Sequence, residues 1–327
     1  MKVHQKKVAT ERSGASEGSL RRRASRPGGS ALLAVFWSIM VLTLAISGWF
    51  FWLQQRVQEH GEDARGAEAM AMAHSGYAVA THPKVDRYSS LLQAEPLPGI
   101  GYRVTIESEG GRINLKWFLT GNDPAKINFL KQWLEFVIGV ELIARDRLMD
   151  CLLDYVDGDN ITRPNGQEDS PTYHPANRMI ENLDELKRIP GLEPLTTYPG
   201  WKDLLTLDST NKLDLMEIPE ELLRLLPGFG ETQVLRWLQI RAGPDQVLHT
   251  EDDPRYPGLD QVRAALGFGD KQWALLTPLV TVNDQTSRVL CEGYSGKVVR
   301  QLQVVVRKAS GTTQPSSNSP RILSWTE

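Results

Sequence analysis

Asp157, Asp159 and Glu168 stand at relative positions 1, 3 and 12 of a polar stretch, with Asp169 adjacent and Asp154 one helical turn before. Carboxylates at that spacing can wrap one hard cation, and crowded acids repel one another unless a cation neutralises them. Oxygen ligands favour calcium or magnesium over softer metals. The stretch departs from an EF-hand: Ile161 and Thr162 replace the expected polar ligand and turn glycine, and Pro171 follows Glu168 too soon for a long exit helix. Calcium held by Asp157, Asp159, Glu168 and Asp169 with backbone carbonyls is one reading, and a solvated acidic loop is the other. A second acidic group, Glu251, Asp252 and Asp253, lacks such spacing and reads as surface.

Other chemistry has less support. Of the histidines His4, His60, His74, His82, His174 and His249, none forms HExxH. There is no GxSxG, P-loop or Rossmann glycine pattern, so the sequence reads as a non-enzyme. Cys151 and Cys291 form no CxxC and have no neighbouring histidine, which argues against a zinc or thioredoxin-type centre. If the folded part lies outside the cytoplasm, a bridge between them becomes open to geometry.

Residues 222–230 read LLRLLPGFG and precede a helical stretch over residues 231–241, a pattern resembling a helix-hairpin-helix turn. Such a turn offers backbone N–H groups to a phosphate. A membrane-anchored, extracytoplasmic DNA-binding protein is therefore the competing function. Against it, Glu220, Glu221 and Glu231 balance Arg224, Arg236 and Arg241, leaving no net positive field.

These residues need elements to position them. At 41% hydrophobic and 24% charged, with net charge -3, the chain can build a sizeable core. Residues 31–53 carry no charge, and at about 1.5 Å per residue a helix of that length spans a bilayer core. Basic residues before it (Lys2, Lys6, Lys7, Arg12, Arg21, Arg22, Arg23, Arg26) place the N-terminus in the cytoplasm and the rest outside. The apolar run is too long for a cleaved secretory signal.

Beyond the anchor, residues 54–80 keep helical character, with Val57, Ala64, Ala67, Ala71 and Ala78 marking a stripe for close packing on a sheet. Alternation over residues 101–117 about Gly110 and Gly111 predicts a hairpin. Residues 123–279 turn to helices punctuated by Pro-Gly, with a short strand pair expected within residues 204–215. Strands return over residues 288–294, 297–307 and 321–325, and the Gly/Ser/Thr/Pro tract 310–320 reads as a loop.

Arg26, Pro27, Gly28 and Gly29 before Ser30 and the apolar run resemble a type IV prepilin leader. Most pilins carry glutamate at the fifth mature position; here it is Ala34, which suits a subunit with none ahead of it in a filament. With the runs GGRINL, LLDYVDGDNITRPNGQEDSPTYHPANRMI and NLDELKRIPGL, and more loosely KLDLMEIPEELLRLLPGFG, the chain resembles the type II secretion system protein K family of minor pseudopilins. The resemblance implies an α+β fold: a pilin-like long N-terminal helix packed on a small antiparallel sheet, with a large α-helical insert domain. The implied divisions are a leader (1–29), a transmembrane helix (30–53), a pilin-like helix with first strands (54–119), the insert (120–280) and the C-terminal strands (281–327). It further implies cleavage by prepilin peptidase after Gly29, methylation of Ser30 and calcium in the acidic loop. It also implies a place in the cell inner membrane with a periplasmic C-terminal domain. The partners would be minor pseudopilins of the GspI, GspJ and GspH types and the inner-membrane secretion machinery.

Overall fold

A computed structural model describes residues 30–308 and 320–327, and the backbone but not the side chains of residues 57–60. The basic arm, Gly29 and nearly all of the tract 310–320 lie outside the described residues. The chain divides into two units, Met1–Gly61 and Glu62–Glu327. Helix α1 (Ser30–Ala80) contributes to both. Its N-terminal part is apolar and long enough to cross a membrane, with Phe36, Trp37, Trp49 and Trp52 exposed.

In the second unit the strands are β1 (Gln93–Leu97), β2 (Ile100–Ser108), β3 (Ile113–Asn114), β4 (Leu205–Thr206), β5 (Leu213–Asp214), β6 (Val280–Thr281), β7 (Thr286–Ser295), β8 (Val298–Arg307) and β9 (Arg321–Thr326). The helices after α1 are α2 (Leu115–Leu119), α3 (Pro124–Phe136), α4 (Leu142–Val156), α5 (Glu193–Thr196), α6 (Trp201–Leu204), α7 (Glu220–Leu223), α8 (Glu231–Arg241), α9 (Leu259–Leu266) and α10 (Asp270–Leu276). The fold is α+β: a five-stranded antiparallel sheet in the order β1-β2-β7-β8-β9, the long helix, and the further helices.

Strand alternation in β7 and β8 turns Val289, Cys291, Leu302, Val304 and Val306 to one face, where they meet Ala73, Tyr102 and Val104. The contact is close because the meeting residues are small. A Cβ on Gly293 of β7 would lie 1.9 Å from the Ala69 carbonyl oxygen and 2.4 Å from the Ala73 nitrogen. The buried helix stripe is Gly66, Ala69, Ala73 and Gly76, whereas Ala64, Ala67, Ala71 and Ala78 are exposed. The stripe expected from the alanines therefore lies on the wrong face. Alanine favours any helix position, so it does not by itself mark the packed side.

Two pairings also differ from expectation. Residues 101–117 do not form a hairpin: β2 pairs with β1 and β7, Glu109–Gly111 is a 3-10 turn, and Leu115, Lys116 and Trp117 begin α2. Asn114 decides the change, since its side chain caps α2 by accepting from the Trp117 N–H at 3.1 Å. Within residues 204–215, β4 and β5 do not pair with each other; β4 runs parallel to β3, and β5 parallel to β6.

The chain leaves the sheet at Ser108 and returns at Ser287 directly opposite, because β2 and β7 are neighbours in register. Everything between them can therefore build its own core, which holds Phe118, Trp133, Leu148, Leu152, Trp237 and Leu276 among others. The junction is polar. Glu109, fully buried, accepts from Arg288 at 2.6 Å and Arg112 at 3.1 Å. Asp214 accepts from the Asp284 N–H at 2.7 Å, while the Asp284 carboxylate accepts from the N–H groups of Thr210 and Thr286. Cys151 lies in the insert core and Cys291 in the sheet core, both as free buried thiols, so no bridge joins them.

Candidate metal centre

Helix α4 sets the centre. Its apolar side buries Leu148, Met149, Leu152, Leu153 and Tyr155, and Asp154 is carried inward with them to full burial. The helix stops at Val156, where the Asp157 N–H still donates to the Leu153 carbonyl at 3.1 Å. Asp154 and Asp157 are three apart and so share a face. The chain then turns: Asp159 Oδ1 accepts from the Ile161 N–H at 2.8 Å, and Asn165 is tied to Asp150 through its backbone and side chain at 3.1 and 2.9 Å. A Cβ on Gly166 would meet Asp154 Oδ2 at 1.9 Å, so a glycine is needed for the loop to close over that carboxylate. This return brings Glu168 to α4.

Among the described residues, Asp154, Asp157 and Glu168 bring one carboxylate oxygen each to within 4.8 Å of one another. That span is about twice a calcium–oxygen bond of roughly 2.4 Å. Arg163 Nη1 donates to Asp154 Oδ1 at 2.6 Å and to Asp157 Oδ2 at 2.5 Å, and the Arg163 backbone N–H donates to Asp154 Oδ2 at 3.3 Å. Glu168 is 7% exposed, yet among the described residues neither of its oxygens has a hydrogen-bond partner. Asp157 Oδ1 and the Tyr173 hydroxyl are likewise buried and unpartnered. Burial first, then the charges of Asp154, Asp157 and Asp159, push the Glu168 carboxyl above its ordinary range. Buried acceptors without donors are costly, and a hard cation would satisfy them. The donor set is all oxygen, which fits calcium or magnesium.

The four residues expected from spacing separate. Asp157 and Glu168 come together. Asp159 is exposed and engaged in its own turn, and Asp169 is exposed in an ion pair with His174. Asp154 takes the third place, and its helical spacing to Asp157 was the available signal. Arg163 had none, because nothing in a loop sequence says which way an arginine folds back.

The turn at residues 226–230 shows the fate of the other motif. Helix α7 is a single turn long, Arg224 is paired with both Glu220 and Glu231, and Arg241 is buried on the carbonyls of Ile218 and Leu215. Gly228 has φ of 87°, and a Cβ built on it would lie 3.7 Å from Phe268 and Gln272. The glycine turn packs within the insert core, and Arg224 and Arg241 are committed to neighbouring groups.

The acidic loop and its flanks fall within residues 111–198, which match the family model for protein K of the type II secretion system. Over this stretch the chain is similar to that family. Its fold also matches a chain in the crystal structure of the GspK-GspI-GspJ complex from the enterotoxigenic Escherichia coli type 2 secretion system. That match has TM-score 0.55 and 14% identity, and covers 84% of this chain and 98% of the other. Comparison with curated protein sequences gave no match.

Proposed function

We propose that the chain is a minor pseudopilin that caps and initiates the periplasmic pseudopilus through which a type II secretion system exports folded proteins across the outer membrane. The observation that carries this reading is the insertion of a separate helical core between adjacent strands β2 and β7 of a helix-on-sheet body. Bulk added there obstructs a further subunit above, while Ala34 leaves α1 without the acid that pairs a pilin to the subunit ahead. Both features suit the first position in a filament.

On this reading the apolar part of α1 lies in the inner membrane with its N-terminus cytoplasmic and the C-terminal domain periplasmic. Prepilin peptidase cuts after Gly29, and Ser30 is then methylated. The partners are minor pseudopilins of the GspI, GspJ and GspH types and the inner-membrane machinery. The similar solved chain lies in a GspK-GspI-GspJ complex, which supports the first two types. Calcium is held by Asp154, Asp157 and Glu168, and supplies the positive charge that Arg163 alone does not.

Co-expression of the full chain with GspI- and GspJ-type subunits tests the assignment. Recovery of a ternary complex, with export lost in a strain lacking this chain and processing lost in Gly29→Leu, is expected. Normal export and processing in those strains would remove it.

A further inference from the structure

The acidic cluster contains its own cation. Arg163 reaches Asp154 and Asp157 through one nitrogen, Nη1, although a guanidinium offers five N–H groups in a fork that can hold a carboxylate by two parallel bonds. A one-nitrogen contact commits the side chain less firmly than a forked one. Its side chain is 25% exposed, so it can withdraw to water without crossing the core. Meanwhile one positive charge faces three carboxylates, and the one it does not touch, Glu168, is buried with both oxygens unpartnered. The guanidinium thus holds the α4 end of the cluster and leaves the returning strand of the loop uncompensated.

We propose that Arg163 is a tethered counter-ion: it occupies the carboxylate cluster in the cation-free protein, releases Asp157 when a divalent cation binds, and so sets the cation concentration at which the loop is stapled to α4. The proposal rests on the cation-site reading above. Without Arg163, Asp154 and Asp157 repel each other in the cation-free state, and the cation meets no competitor. Removing the arginine therefore weakens the cation-free fold and tightens cation binding together, a combination that a merely supporting arginine does not produce.

The test is calorimetric titration of the full-length chain in detergent with calcium chloride, comparing wild type, Arg163→Met and Arg163→Lys, alongside thermal melts with and without calcium. About tenfold tighter binding by Arg163→Met is expected, equivalent to about 1.4 kcal/mol. Its calcium-free melting temperature should be lower than wild type, with the gap closing at saturating calcium. Arg163→Lys keeps the charge without the fork; it is expected to bind between the other two and provides the comparison if Arg163→Met does not fold. Calcium binding by wild type with equal or weaker binding by both variants would overturn the proposal while leaving the site intact. Absence of calcium binding by all three proteins would remove the cation-site reading and this proposal with it.

Discussion

Gly293 and Gly166 both sit where a methyl group would collide at 1.9 Å, but with different neighbours. At Gly293 the obstacle is the backbone of α1, and the contact belongs to a core whose apolar groups satisfy one another. At Gly166 the obstacle is the Asp154 carboxylate, and the surrounding loop keeps buried oxygens without donors. Close approach thus has two uses in this molecule. In the helix-on-sheet body it completes a core. In the insert loop it gathers three carboxylates that Arg163 neutralises only in part, leaving Glu168 uncompensated.

The sharpest test of the closed core is Gly293→Val, which has no room on either helix residue. It is expected to cost about 3 kcal/mol or more, seen as a lower thermal midpoint of the full-length chain, because overpacking against backbone cannot be relieved by a rotamer change. A near-neutral effect would mean that α1 and β7 are less tightly joined than the contact implies.

Asp214, at the junction between body and insert, lies between the two cases. It accepts from the N–H groups of Asp284 and Met216, but burial, aided by the charges of Glu217 and Asp284, pushes its carboxyl up to about 6 from 3.8. A raised acid holds a proton in the folded state that the unfolded state has released. Its stabilising contribution is full below about pH 4 and is lost as pH rises through about 6. Across that window the loss amounts to about 3 kcal/mol, at 1.36 kcal/mol per pH unit. Asp214→Asn should remove this slope, so in denaturant titrations at several pH values the variant should gain on the wild type by about 3 kcal/mol as pH rises from about 4 to about 6. A constant difference would place the carboxyl in ordinary surroundings.

Glu168→Gln addresses the strained loop and has the opposite sign from the glycine change. Removing an uncompensated buried charge should stabilise the calcium-free protein by about 1 kcal/mol while abolishing any rise in melting temperature on adding calcium. Loss of stability in calcium-free buffer would show that the oxygens are already satisfied.

The smallest effect is expected at the thiols. Burial raises the Cys151 thiol and pushes Cys291 up to about 12, and both are 1% exposed or less. Neither should be modified by an aromatic disulfide reagent at pH 8 until denaturant is added. Rapid labelling of one would identify which core opens.

Much of the architecture was legible before any coordinates, because the patterns that carry it are local. An uncharged run and period-2 alternation depend on a residue and its near neighbours, so α1, β7, β8 and β9 appear close to where the sequence puts them. The hairpin at residues 101–117 failed for the converse reason: β2 had a better partner in β7, and the side chain of Asn114 turned the following residues into a helix. The buried face of α1 was misread because alanine is as comfortable in water as against a sheet. The face was fixed instead by Gly76 meeting Val104 and Tyr102, and by Ala69 and Ala73 meeting Gly293.

The same division holds at the acidic loop. The sequence by itself determined that acids of the right kind and spacing lie after α4, and that an apolar run stands before the folded part. Tertiary structure decided which acids meet. Asp154 is drawn in by the burial of its helix, Glu168 is brought back over Gly166, and Asp159 and Asp169 are left at the surface. Spacing along a chain limits which groups can meet, but burial and the direction of the returning backbone select among them, and those arise only when the core has closed.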